Sequence, residues 1–370
     1  MSGPLNGLKV LEMPAIGPVP FCGMLLADLG ADVLRLDRTG DSDLGVKVDV
    51  KYDLMGRGKR SLAVDLKAPD SRELVLALVQ KADVLIEGFR PGTMERLGLG
   101  PDVALACNPR LVYGRMTGWG QEGPLSAAAG HDINYLALTG ALHAIGRKGD
   151  APLPPLNLAA DFGGGSLYLA LGILSALHER QQSGRGQVID AAMVDGASSL
   201  MTMFYGLVAQ GVWNDRRGEN ILDSGAPWYN TYECKDGRFI AIGALEGKFF
   251  GELVQRLGID PKRFPDHMDR ATWPQMQQAL AEVFRSKTRD EWCAVLEGSD
   301  ACFAPVLGLR EAPGHKHMKA RKTFVEHAGV VQPGPAPRFS RTPGALGRPP
   351  PKRGEGGADA LRDWGVKASH

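Results

Sequence analysis

Proton chemistry is possible at a few positions in this sequence. Gly130-His131-Asp132-Ile133-Asn134-Tyr135 sets an imidazole and a carboxylate directly after a glycine, a context in which backbone amides can be left open to a ligand. Histidine titrates near neutrality and serves as acid or base. Among eight histidines, however, most are expected to be surface or structurally bonded groups, and His178 in His-Glu-Arg reads as a helix-end cation. Asp161 stands alone in the apolar and glycine run Asn157-Leu158-Ala159-Ala160-Asp161-Phe162-Gly163-Gly164-Gly165, just ahead of a long helical pattern. It reads as a helix N-cap or as a functional carboxylate in a partly dry site, and the two roles can coincide. Glu246 directly follows the strand-like run ending at Ala244 and Leu245; its plain alternative is a helix-start acid favoured by the dipole.

A second set of residues could hold an anion. Arg38 follows Val-Leu-Arg-Leu-Asp, Arg57, Lys59 and Arg60 crowd Met-Gly-Arg-Gly-Lys-Arg-Ser, and Arg90 follows Gly-Phe. Cations at the carboxyl ends of parallel strands lie where α/β sheets bind ligands, and guanidinium forks suit phosphate oxygens. Each could equally be a solvated surface cation. Gly118-Trp119-Gly120-Gln121-Glu122-Gly123 matches a dinucleotide fingerprint in spacing. It follows a late strand and leads into Pro124 and small residues, so a Gly-rich turn is the better reading. Met193, Met201 and Met203 mark a helical stretch that is simplest as core, although methionines also make adaptable apolar binding surfaces.

These groups need a scaffold. The strand-like segments 8–13, 33–37, 61–66, 84–89 and 111–116 alternate with helical ones and are too uniformly apolar to leave a wet face. That predicts an α/β fold with a parallel sheet covered by helices. From Leu125 to about Gly211 the pattern is mainly helical, with the clearest helix over 166–182 starting after Gly163-Gly164-Gly165. Past Gly225 the texture changes: two strands joined by a tight turn at Lys235-Asp236-Gly237, then helices around 248–257 and 274–298, predict a smaller α+β domain. The Pro-, Gly- and Arg-rich tail after Gly329 is expected to be extended or partly disordered.

The 370 residues, 44% hydrophobic and 23% charged, suffice for two domains with large cores. A net charge of +1 gives no global field for nucleic acid and no polybasic membrane patch. Five cysteines lack metal-ligand spacing or a disulfide pattern, which favours a reducing compartment. With no leader-like start, no run of about 18 uninterrupted apolar residues and no Ser-Lys-Leu address at Lys367-Ala368-Ser369-His370, a cytoplasmic, untargeted protein is expected.

GLKVLEM near the start is followed in order by GADVLRLDR, RGKRSLAVDLK, DVLIEGFRPGTMERLGLG, GWGQEGP, GHDINYLALTGAL, DFGGGSLYLALGI and GRGQVIDAAMVDG. Together these motifs resemble the family III CoA-transferases over roughly residues 5–340, and GHDINY with the later Gly-Ala-Leu-Glu is similar to the α-methylacyl-CoA racemase branch. The resemblance implies a Rossmann-like large domain (1–200, completed by 330–370), a linker (201–224), a small α+β domain (225–312) and a returning linker (313–329). It also implies an interlocked homodimer, with each active site between the large domain of one subunit and the small domain of the other.

By the same resemblance, His131 and Asp161 are the acid/base pair, Glu246 hydrogen-bonds the histidine, and the backbone N–H of Asp132 meets the thioester oxygen. Arg38, Arg57, Lys59, Arg90 and Tyr135 fall at CoA-binding positions, and the Met-rich stretch at a surface for the acyl tail. The implied substrate is an acyl-CoA thioester whose α-proton leaves to one base while the opposite face is reprotonated by the other. No hydride or electron moves, so neither a redox cofactor nor a metal is expected, and CoA is part of the substrate. Two alternatives remain. A transferase would use Asp161 as nucleophile and carry an acyl anhydride; a non-catalytic CoA-thioester binder would keep only the scaffold.

Overall fold

The computed structural model describes residues 3–40 and 45–367, so Ala368, Ser369 and His370 lie outside the described residues. The chain divides into two compact units, one of Met1–Thr139, Leu156–Leu200 and Lys316–His370, the other of Gly140–Pro155 and Met201–His315. The division differs from the boundaries drawn from sequence: residues 140–155, 201–224 and 313–315 group with the second unit.

Six parallel strands form the sheet of the first unit: β1 (Lys9–Glu12), β2 (Asp32–Asp37), β3 (Arg60–Ala63), β4 (Val84–Glu87), β5 (Val112–Thr117) and β6 (Val188–Ala192). Their order is β3-β2-β1-β4-β5-β6, the dinucleotide-fold order, with Val10 paired to both Val33 and Val84. Every residue of β4 and β5 is buried, which is why these segments show no alternation. Strand order reverses between β1 and β4, so a crevice opens beyond their carboxyl ends.

Helix α1 (Pro18–Asp28) starts there, with proline in its first turn, where a missing N–H costs nothing. Helix α2 (Asp132–Leu138) follows β5, and the β5–β6 crossover is one continuous helical run, Leu158–Ser166 in π form and then α3 (Leu167–Ser183). The run over 158–183 is apolar and long enough to span a membrane by length and composition. Asp161, Ser166 and Ser175 interrupt it, so it is not the unbroken apolar run that the sequence is expected to lack. In the fold, Leu169, Ile173 and Ala176 are buried. Helix α4 (Met193–Leu200) follows β6.

The tail departs from the expected loose segment. After a hairpin of Phe324–His327 with Val330–Pro333, the chain lies against the sheet margin, where the Gly58 and Ser61 amides donate to the carbonyls of Arg348 and Glu355. It ends in a helix, Gly357–Trp364, whose Ala360, Leu361 and Trp364 enter the same core as Leu11, Leu34 and Tyr113. Those three apolar residues share one helical face, a signal too short to outweigh the surrounding Pro and Gly.

In the second unit β7 (Tyr229–Glu233) and β8 (Phe239–Gly243) pair antiparallel through the turn at Gly237, and β9 (Phe303–Pro305) adds to β8. Helices α5 (Gly247–Arg256), α6 (Trp273–Phe284) and α7 (Arg289–Leu296) contribute to a core containing Trp228, Phe284 and Trp292.

Candidate active site

Asp161 is not an N-cap. It lies inside the π-helical turn Leu158–Ser166, and Gly163, Gly164 and Gly165, expected to precede the helix, are part of it. Their smallness serves packing: a Cβ on Gly164 would sit 2.5 Å from the Ala197 amide nitrogen, and one on Gly196 would overlap the Gly164 carbonyl oxygen. The π turn is tied to the start of α1, because Ser166 Oγ donates to Pro18 O at 2.7 Å and to Asp161 O at 3.1 Å. Phe162 packs its ring on Phe21, with centroids 4.6 Å apart. A Cβ on Gly17 would stand 3.5 Å from Asp161 Oδ2, which sets the carboxylate beside the loop after β1, at the reversal in strand order.

His131 caps α2 in an extended conformation (φ −133°, ψ 175°), and its amide donates to Asn134 Oδ1 at 3.0 Å. The residue is exposed. Asp132 is buried, and its Oδ2 accepts from the amides of both Ala160 and Asp161 at 2.8 Å. The side chain next to His131 therefore grips the backbone of Asp161. The sequence resemblance implies only a backbone role for Asp132. Its own amide is the first of α2 and has no carbonyl to meet within the helix.

Burial holds the Asp161 carboxyl above the ordinary aspartate range; the hydrogen bond from Asn157 opposes this, the Asp132 charge adds to it, and His131 opposes it. Asp161 and His131 are thus within electrostatic reach. A half-dry carboxyl whose proton affinity is raised can act as an acid as well as a base.

The anion-binding set requires three corrections. Lys59 is fully buried and gives its three N–H bonds to Glu12 Oε1 (2.9 Å), Glu12 Oε2 (2.6 Å) and Pro20 O (2.9 Å). Arg57 is buried against Asp28, Gln332 and Pro333. Both charges are consumed inside the protein and cannot also cradle a phosphate. Tyr135 is 6% exposed; its hydroxyl donates to Gly130 O at 2.5 Å and its ring meets Trp119 edge-on at 4.8 Å. It shapes the turn before His131 and leaves no hydroxyl proton for CoA; burial raises its pKa to about 12. Arg38 and Arg90 are exposed, after β2 and β4, and their side chains make no hydrogen bond or ion pair to a described residue. Arg38 lines a cavity of about 170 Å³ with Ile16 and Arg353, the last a residue that sequence reasoning missed.

Glu246 lies in the second unit, exposed at the N-cap of α5. His267, also unread in the sequence, steadies that loop: its Nε2 lies 2.8 Å from Leu245 O and its ring stacks on Phe250. An apolar cavity of about 750 Å³ in this unit includes Met201, Phe204, Trp213 and Phe303. Met193 is buried and Met203 exposed. Gly118–Gly123 forms turns at Gly120 and Gly123, both with positive φ, and no helix begins before Asp132, as a phosphate-binding βα turn would need. Among the described residues, no group of three or more His, Cys, Asp or Glu converges as a metal centre would require.

Residues 5–356 match the model of CoA-transferase family III. The chain is 46% identical over 363 residues to the alpha-methylacyl-CoA racemase of Mus musculus, covering 98% of this chain and 93% of that protein. It is 46% identical over 342 residues to the Homo sapiens protein of the same name, covering 92% and 87%. The crystal structure of a CAIB/BAIF family protein from Brucella suis superposes with a TM-score of 0.85 at 30% identity, covering 98% of this chain and all of that one.

Proposed function

Since the chain belongs to CoA-transferase family III, we propose that it interconverts the (2R) and (2S) forms of 2-methylacyl-CoA thioesters by moving the α-proton between two bases. The observation that carries this reading is the linkage of His131 to Asp161 through the Asp132 side chain, which gives two proton carriers of different type one shared support. The 46% identity to proteins named for this reaction supports it.

A thioester α-proton is weakly acidic, and its removal leaves an enolate oxygen. The Asp132 amide is the donor proposed for that oxygen, a contribution of about 3–4 kcal/mol in a water-poor site. His131 takes the proton from one face while protonated Asp161 supplies one to the other, each step worth about 10²–10⁴ in rate. The reverse assignment serves the opposite enantiomer. Glu246 would orient the imidazole and stabilise its charged form. Arg38 and Arg90 would meet the CoA phosphates through charge-assisted hydrogen bonds. The chemistry calls for no redox group or metal, and nucleic acid and membrane have no part in it.

The homodimer belongs to the same proposal. On α3, Leu167, Leu171 and Leu174 are exposed on one face, an apolar surface suited to a second copy. Five free cysteines suit the cytoplasm.

The test is deuterium uptake at C2 of a 2-methylacyl-CoA in heavy water with no acceptor acid present. Exchange with loss of optical purity is expected, and His131→Ala or Asp161→Ala should lower it by about 10²-fold or more. Turnover that requires a carboxylate acceptor would assign the chain to acyl transfer instead.

A further inference from the structure

Among the described residues, Asp132 has one carboxylate oxygen engaged and one without a partner: Oδ2 accepts from the Ala160 and Asp161 amides, whereas the buried Oδ1 accepts no hydrogen bond. A buried unpaired carboxylate oxygen costs stability, and the family's thioester chemistry asks only for this residue's backbone. We propose that the Asp132 side chain is a positioning residue for the proton transfer: it fixes Asp161 relative to His131 and sets a negative charge beside the acid. The inference rests on the two-base reading above.

The grip is geometric. His131 and Asp132 are consecutive at the start of α2, so the position of one backbone fixes the other. Asp132 Oδ2 then holds two successive amides of the π turn, 2.8 Å each, at the residue that carries the second base. Tyr135 closes the other side by bonding Gly130 O, and Ser166 anchors the far end of the turn to Pro18. Asp161 cannot drift from His131 unless one of these contacts breaks. A misplacement of about 1 Å in such a pair costs about 10²-fold in rate.

The charge acts alongside the grip. Among the described residues, the titratable groups that act on Asp161 are Asp132, His131 and Tyr135. Charges on the other packed elements are engaged elsewhere: Asp28 by Arg57, Arg180 by Asp83, Arg115 by Glu87 and Glu95, and Asp190 by the Gln121 amide. Asp195 on α4 is exposed. Asp132 is therefore the anion beside Asp161 that opposes its ionisation, and neutralising it makes Asp161 the stronger acid.

Two variants separate the effects. Asp132→Asn can present an amide oxygen to both N–H groups while removing the charge; Asp132→Ala removes both. In the full-length protein, ¹³C NMR titration of the Asp161 carboxyl should move to lower pH in Asp132→Asn, and the acidic limb of the exchange rate should move with it. Asp132→Ala should lose about 10²-fold in kcat with KM little changed. Should Asp132→Ala fail to fold, Asp132→Asn decides alone. An Asp161 titration in Asp132→Asn that coincides with the wild type overturns the inference, as does wild-type kcat in a folded Asp132→Ala. A wild-type protein that does not exchange the α-proton defeats the proposed reaction, and the NMR titration still decides whether Asp132 controls Asp161.

Discussion

Lys59 and Arg38 are both cations at the margin of the six-stranded sheet, yet one is wholly enclosed by Glu12 and Pro20 while the other is exposed beyond β2. Burial pushes the pKa of the Lys59 ammonium down and that of the Glu12 carboxyl up, and each is opposed by the other's charge. Removing either partner of such a pair strands the other in the interior. Arg38 has no such commitment among the described residues and can direct its charge to a ligand. A basic residue near a binding crevice becomes a candidate only after its donors have been accounted for.

The comparison breaks most readily at Lys59. Lys59→Ala should destabilise the protein by about 3–5 kcal/mol, because it leaves Glu12 buried and alone; urea unfolding measures this. Adding Glu12→Leu to Lys59→Met should recover most of that loss, since well-packed apolar pairs often match buried ion pairs, and the same unfolding curves report it. Arg38→Ala should leave the unfolding midpoint where it is and raise KM for acyl-CoA about tenfold, roughly 1.4 kcal/mol, with a rise that shrinks in high salt. If Arg38→Ala changed stability instead, the distinction drawn between the two cations would fail.

The smallest effect concerns Asp161. Its folded pKa is raised, mainly by burial, so the ionised carboxylate weakens the fold above the unfolded pKa, and stability is regained as pH falls through the folded value. Asp161→Asn should therefore melt higher than the wild type near neutral pH, with the gap closing as thermal scans move down toward the unfolded aspartate pKa of about 3.9. Under the proposed reaction that is a cost carried for function, unlike the buried pair at Lys59.

Much of the scaffold was legible because long apolar runs such as Val84–Glu87 have few other places to go than a covered parallel sheet. His131 and Asp161 stood out in sequence by residue type and glycine-rich context, and the structure links their backbones through Asp132. The π turn was not: Gly163-Gly164-Gly165 reads as the stretch before a helix, and close contacts with Met193, Gly196 and Ala197 explain glycines inside one. The Asp132 grip was hidden because a hydrogen bond across 28 and 29 residues has no local signature. Arg57 and Lys59 misled for the converse reason, since their partners Asp28 and Glu12 lie on other elements. The terminal helix was obscured by the Pro-rich stretch before it.

The return of the chain after Lys316 has a bearing on the order in which this protein can mature. Trp364 sits 2% exposed in the core built by residues 11–113, and its indole N–H donates to Asp32 at 2.7 Å. The whole of 201–315 is synthesised between those partners. The inserted unit can thus leave the ribosome complete while the sheet that flanks it in sequence still awaits its final aromatic. Birth order and structural closure run in opposite directions here, and the first strands made are among the last to be sealed.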